Sequence, residues 1–204
     1  MVTVIGVLAQ KGGVGKSTLA VSLAVAHQQA GGQAAVIDLD PQRSAVVWGR
    51  LRGDDPPLVI EGHPPQLDHQ VRAAERDGTD LVVIDGPPRG GGGAAEAARL
   101  ADLVLIPCRP SALDLNALPA TLAVAAATRS AVVLNCCPPF GSWTAEAAEA
   151  IDILGADRCP VALGQRIAHA RSVTSGRTAQ ELEPRSTAAA EIKRLYGWCM
   201  EVST

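Results

Sequence analysis

Short apolar runs alternate along this chain with longer alanine-rich stretches, the pattern of repeated βα units around a parallel sheet. Residues 2–8, 34–37, 58–60, 81–84, 103–106 and 131–134 read as strands, with a last one at 161–163. Leu81-Val82-Val83-Ile84 leaves no polar face and predicts a strand buried on both sides. Helices are expected over 17–29, 44–51, 66–76, 94–100, 113–127, 144–154 and 187–196, the first stopped by Gly31-Gly32. The glycine run from Gly90 to Gly93 falls between a strand and a helix and reads as a loop inside the repeat. The expected architecture is a single α/β domain over 1–204, with a mostly parallel central sheet flanked by helices.

Composition narrows this picture. A chain of 204 residues fills one ordinary domain, and its 47% apolar content makes it globular. Aromatic residues are only 2%, so valine, alanine and leucine must build the core. The net charge of −3 gives no global reason to bind nucleic acid or an anionic membrane, although a local arginine patch still could. Five cysteines without any C-x-x-C spacing, and none beside a histidine, suggest small core residues in a reducing compartment. The chain starts without a basic region before an apolar run, and no 18 uncharged apolar residues follow one another. A cytoplasmic protein with no integral membrane segment is expected.

The candidate chemistry begins where the first strand runs into Gln10-Lys11-Gly12-Gly13-Val14-Gly15-Lys16-Ser17-Thr18. Glycines let successive backbone N–H groups curl around a polyphosphate, and the following helix adds unpaired N–H groups and its positive dipole end. Lys16 is placed to reach the β- and γ-phosphates, and the Ser17 hydroxyl to ligate Mg²⁺. The common phosphate-loop motif has glycine where Gln10 stands, so the loop departs from it there. Two of the chain's three lysines fall in this loop, against fifteen arginines overall. That preference argues for a specific demand for lysine.

A magnesium nucleotide site also needs carboxylates at neighbouring strand ends. Asp85 closes the apolar run at 81–84, and Asp38 and Asp40 follow Val36-Ile37. Two residues apart on an extended chain, Asp38 and Asp40 point the same way.

These segments, with Asp38-Leu39-Asp40-Pro41-Gln42 and Val83-Ile84-Asp85-Gly86-Pro87-Pro88, resemble the ParA/MinD family of deviant-Walker P-loop ATPases. Ile106-Pro107-Cys108-Arg109-Pro110-Ser111-Ala112-Leu113-Asp114 is similar to the proline-rich loop of the short, ParF-like plasmid-partition branch. The resemblance implies a P-loop NTPase fold, ATP and Mg²⁺ as ligands, and an ATP-dependent homodimer. It implies that Lys11 reaches the partner's phosphates, that Lys16 acts in its own site, and that Asp40 orients the attacking water. Ser17, Asp38 and Asp85 serve the metal, and Gly12, Gly13, Val14, Gly15, Lys16, Ser17 and Thr18 cradle the phosphates. Asn135 matches a position that contacts adenine. Non-specific DNA in the ATP state and a centromere-binding ParB-like or ParG-like adaptor are the implied partners, with nucleoid association. Arg158, Arg166, Arg171, Arg177 and Arg185 are available for DNA phosphates.

The rival readings are a MinD-like or polar-positioning ATPase acting on a membrane or protein assembly, and a nucleotide-gated scaffold with little turnover. A membrane-cycling protein would need a basic amphipathic C-terminal helix. Residues 191–201 have some of that character, but Gly197 and two glutamates weaken it, and core packing is expected instead. Trp48, Trp143 and Trp198 are expected to pack or to form an interface rather than to stack on bases.

Overall fold

The computed structural model describes residues 1–88 and 92–203. In chain order the elements are β1 (Thr3–Val7), α1 (Lys16–Gln29), β2 (Ala34–Asp38), α2 (Ser44–Arg52), β3 (Leu58–Glu61) and α3 (Leu67–Arg76). They continue with β4 (Leu81–Asp85), α4 (Gly92–Leu100), β5 (Leu103–Cys108), α5 (Ala112–Leu115), α6 (Leu118–Val124) and β6 (Ser130–Leu134). The chain closes with α7 (Trp143–Ile153), α8 (Ile167–Val173), α9 (Ala179–Leu182) and α10 (Thr187–Ser203).

All strand pairs are parallel, in the order β3-β2-β4-β1-β5-β6. Alternate side chains feed two separate cores, which is why the strands read as unbroken apolar runs. Ile5, Val7, Val36, Val83, Leu105 and Val133 pack with α1 and α10 on one face. Val4, Ile37, Val82, Ile84, Val104 and Val132 pack on the other with Leu67, Ala97, Leu118 and Ile151. The helix α1 is buried nearly all round from Leu19 to Ala26, as a central helix should be. Trp48 is the largest side chain wholly inside; Trp198 packs against the first core, while Trp143 stands exposed.

The strands lie where the apolar pattern puts them, with one exception. The expected strand at 161–163 does not form. Residues 157–165 run beside β6, where Val132 bridges to Arg158 and Cys137 to Gly164. Between those bridges Pro160 has no N–H to donate, and Val161 N–H turns to Cys159 Sγ (3.4 Å).

The helix expected over 113–127 is two helices. Pro119 sits in the first turn of α6, where no N–H is required; inside one continuous helix it would break a hydrogen bond and clash. Ser111 caps α5 by accepting from Asp114 N–H (3.3 Å). Gly197 does not interrupt the last helix, which runs on to Ser203 and buries Ala188, Ile192, Leu195 and Cys199. Core packing of this segment is therefore found, and no helix among the described residues is long and apolar enough to cross a membrane. Of the expected glycine loop, Gly92 and Gly93 open α4, while Gly90 and Gly91 lie outside the described residues.

Candidate functional site

The carboxyl ends of β1, β2 and β4 are neighbours, with Asp38 and Val7 both in register with Asp85. Open parallel sheets place ligands at such ends. The loop after β1 wraps over them and delivers Lys16 as the first residue of α1. Gly15 caps that helix in the left-handed region (φ 91°), and a side chain there would also collide with the Asn135 amide. No side chain caps α1 and no acidic residue lies in its first turn, so its leading N–H groups stay available to an anion. Gln10, where the common motif has glycine, ties the loop to α6: its N–H donates to Thr121 Oγ1 (3.2 Å) and its amide to Ala120 O (3.1 Å).

Lys16 is buried, with its ammonium 3.8 Å from Asp40 Oδ2. The other oxygen of Asp40 accepts from Gln42 N–H (2.9 Å). Asp85 is fully buried, and among the described residues neither carboxylate oxygen has a hydrogen bond of good geometry, although the Ser17 hydroxyl is near enough to favour its charged form. Burial pushes its pKa up to about 8; Ser17 and Lys16 oppose this, and the charges of Asp38 and Asp40 add to it. An orphaned buried carboxylate beside a serine hydroxyl and a lysine is costly unless a cation completes it. These are hard oxygen donors, and they fit a magnesium ion whose other ligands are phosphate and water.

Asp38, expected to serve the metal, accepts three backbone N–H groups in this fold. Its Oδ1 accepts from Asp40 N–H (2.9 Å), and its Oδ2 from Ala45 N–H (2.9 Å) and Val46 N–H (3.1 Å). It fastens the start of α2 and sets the position of Asp40, while burial, only partly offset by those three N–H groups, still raises its pKa.

Lys11 is turned away from the buried site. It is 39% exposed and its ammonium lies 3.6 Å from Asp114 Oδ1 in the same chain. Asn135 reaches across to the loop, donating to Val14 O (2.7 Å) while its own oxygen accepts from Cys136 N–H (2.9 Å). Gly12, Gly13, Gly15, Lys16, Ser17 and Thr18 line a cavity of about 370 Å³ together with Asp40 and Gln42. Val14 is buried beneath it. A second cavity of about 530 Å³ opens on the other side of the loop, toward α8. Among the expected DNA contacts, Arg158, Arg166 and Arg177 are paired with Asp152, Glu191 and Asp55.

No local pattern announces the far anchor of α2. Arg52 holds Glu181 through two hydrogen bonds (2.7 and 3.1 Å) and donates to Gly176 O (3.0 Å). Trp48 Nε1–H donates to Arg177 O (3.0 Å), and the Arg52 guanidinium stacks over its ring. Gly176 (φ 65°) lies so close to the α2 backbone that a side chain would overlap Arg52. One readable signal existed: Thr178-Ala179-Gln180-Glu181 is a capping box, and it starts α9.

Residues 5–195 match the family described as the CobQ/CobB/MinD/ParA nucleotide binding domain. The chain is 39% identical over 120 residues to the maintenance of carboxysome distribution protein A of Gloeobacter kilaueensis, a stretch covering 56% of this chain and 53% of that protein. It is 34% identical over 113 residues to the protein ParA of Rhizobium radiobacter, covering 54% and 50%. The chain thus spans about half the length of the curated relatives it matches. Among solved structures, apo McdA from Cyanothece superposes with a TM-score of 0.80 at 17% identity over 100% of both chains. The MinD cell division protein of Aquifex aeolicus gives 0.78 at 18% over 98% and 97%. Cobyrinic acid a,c-diamide synthase from Mycobacterium smegmatis, with ADP and magnesium bound, gives 0.72 at 16% over 98% and 94%. At these identities the structural likeness establishes the P-loop α/β fold.

Proposed function

This chain belongs to the CobQ/CobB/MinD/ParA nucleotide-binding family, and we propose that it is a slow, magnesium-dependent ATPase switch that dimerises on ATP to position a macromolecular cargo. The observation that carries this reading is the division of labour between two lysines of one loop. Lys16 is buried beside Asp40, whereas Lys11 stands at the surface on Asp114. One protomer therefore supplies one ammonium to its own site and keeps a second for use outside it. Phosphoryl transfer is accelerated by cationic charge placed where negative charge develops, and a second copy of the chain would bring its Lys11 there.

In this reading the backbone of 12–18 and Lys16 bind the phosphates. Asp40, steadied by Asp38 and Lys16, orients water for attack on the terminal phosphorus. Ser17 and Asp85 would hold magnesium, whose charge neutralises the phosphate oxygens when bound. Hydrolysis would return the chain to its single state.

Likeness to the carboxysome-distribution protein and to MinD favours a protein assembly as the cargo. Plasmid or chromosome segregation is the second reading, favoured by the ParA relative. It carries non-specific DNA and a ParB-like or ParG-like adaptor with it. Sedimentation in Mg²⁺ with ATP, ADP or a non-hydrolysable analogue, beside Lys11→Ala, tests the switch. Dimers with triphosphate alone, lost in the variant along with turnover, are expected; a variant that dimerises and hydrolyses like the parent overturns it. Adding random duplex DNA separates the cargoes: retention only with triphosphate, weakened by salt, favours segregation, and no retention at low salt favours a protein assembly.

A further inference from the structure

The helix α2 is held at both ends by side chains. At its start, Asp38 Oδ2 accepts from Ala45 and Val46 N–H (2.9 and 3.1 Å). At its end the Arg52 guanidinium, 6% exposed, donates to both oxygens of Glu181 and to Gly176 O. Its Nε–H donates to Pro56 O (2.7 Å). Nine residues of helix, about 13 Å long, lie between these anchors. Ser44, Ala45 and Trp48 of α2 line the phosphate cavity, and Val173 of α8 lines it beside them.

Asp40 depends on the near end of this helix. Among the described residues its hydrogen bonds go to Asp38 and to the turn that enters α2. Its N–H donates to Asp38 Oδ1 (2.9 Å), its Oδ1 accepts from Gln42 N–H (2.9 Å) and its backbone oxygen from Arg43 N–H (2.8 Å). Arg43, left-handed at φ 53°, passes the connection on by accepting from Val47 N–H (2.9 Å) within the helix. Lys16, 3.8 Å from Asp40 Oδ2, attracts the carboxylate without aiming it. A tilt of α2 therefore moves Asp40.

The far end is built to prevent such a tilt. A largely buried ion pair is weak ground for stability alone, because well-packed apolar side chains often serve as well. A planar guanidinium on a carboxylate adds direction, since two parallel N–H bonds fix an orientation. Here the guanidinium also lies over the Trp48 ring, 5.0 Å from its centre, and Trp48 Nε1–H donates to Arg177 O. The last turn of α2 is thus locked to the corner between α8 and α9.

We propose that Arg52 is a positioning residue for ATP hydrolysis: by fixing the far end of α2 on Glu181 and Gly176, it holds Asp40 in place at the phosphate cavity. This rests on the ATPase reading above and extends it to a residue outside the cavity. Orienting water for attack tolerates little displacement, whereas the loop of 12–18 grips the phosphates without help from α2. Losing the clamp should therefore slow the chemical step and spare nucleotide binding.

Single-turnover ATP hydrolysis and affinity for a non-hydrolysable ATP analogue are measured in Mg²⁺ for the parent, Arg52→Met and Arg52→Lys. Each is assayed well below its own melting midpoint. Arg52→Met keeps an apolar stem against Trp48 and loses the fork. Its hydrolysis rate should fall about 10-fold while analogue affinity stays within about 2-fold. Arg52→Lys, which keeps the charge, should recover part of the rate. Hydrolysis at the parental rate in Arg52→Met overturns the inference and leaves the ATPase reading standing. So does a rate that falls only in step with affinity, the mark of a merely structural clamp. If Arg52→Met does not fold, Arg52→Lys decides: a slower rate at unchanged affinity supports the proposal, and a parental rate overturns it. A parent that binds the analogue but hydrolyses no ATP removes the ATPase reading and this inference together.

Discussion

Lys11 and Asp114 form an ion pair 3.6 Å apart that joins the phosphate loop to α5 within one chain. Asp114 is 7% exposed, and its second oxygen is bonded to the Ser111 hydroxyl, so the acidic half of the pair is rigid and the lysine is the half that can leave. A second copy recruiting Lys11 must first break this contact. Asp114→Asn should therefore favour the ATP-bound dimer by about 2- to 5-fold, the worth of a partly exposed ion pair. Sedimentation equilibrium in Mg²⁺ and ATP measures it, and an unchanged dimer constant would mean that the contact does not compete.

Asp85→Asn separates chemistry from stability. Among the described residues the buried carboxylate has no hydrogen bond of good geometry, and an amide sheds its burial cost while it can still accept from Ser17, so the melting temperature without nucleotide should stay within about 2 °C of the parent or rise. Magnesium-dependent turnover should fall by about 100-fold or more. A large loss of stability would show that the carboxylate is structural.

For Asp38 the balance is the reverse. Asp38→Ala strands three backbone N–H groups, at Asp40, Ala45 and Val46. A loss of about 2 kcal/mol in urea denaturation is expected. Turnover should fall as well, because Asp40 loses its hold, while ATP binding is largely kept.

The Arg52–Glu181 clamp predicts a pH dependence. Burial opposes ionisation of Glu181, but Arg52 and the hydroxyl and N–H of Thr178 prevail and hold its pKa below the usual value. A carboxyl depressed on folding stabilises fully above its unfolded pKa of about 4.3, and the contribution is lost as pH falls through the folded value. Glu181→Gln should thus cost about 2 kcal/mol at pH 7. The deficit should shrink below about pH 4, measured by melting parent and variant side by side. A deficit constant with pH would refute an ionic clamp.

The parts of this fold legible in sequence are those where one physical demand dominates. Leu81-Val82-Val83-Ile84 had to be a doubly covered strand, and Gly15-Lys16-Ser17 between a strand and a helix had to face an anion. Pro119 and Pro160 were equally visible, yet their effect depended on their place within an apolar pattern that otherwise ran on. Asp38 and Asp40 look alike on an extended chain; only the turn of α2 decides that one serves the backbone and the other faces Lys16. Trp48 and Arg177 meet across 129 residues, a distance no local pattern spans.

Pro160 has a consequence at the border of the sheet. On the β6 side the flanking strip is broken at its middle, and on the other side β3 is only four residues long, entered through Pro56 and Pro57. Neither border offers a long, regular row of free N–H and C=O groups to another chain. Strand-to-strand accretion, the route by which parallel sheets coalesce into insoluble aggregates, is discouraged at both ends. The chain can thus reach a high local concentration without its sheets fusing.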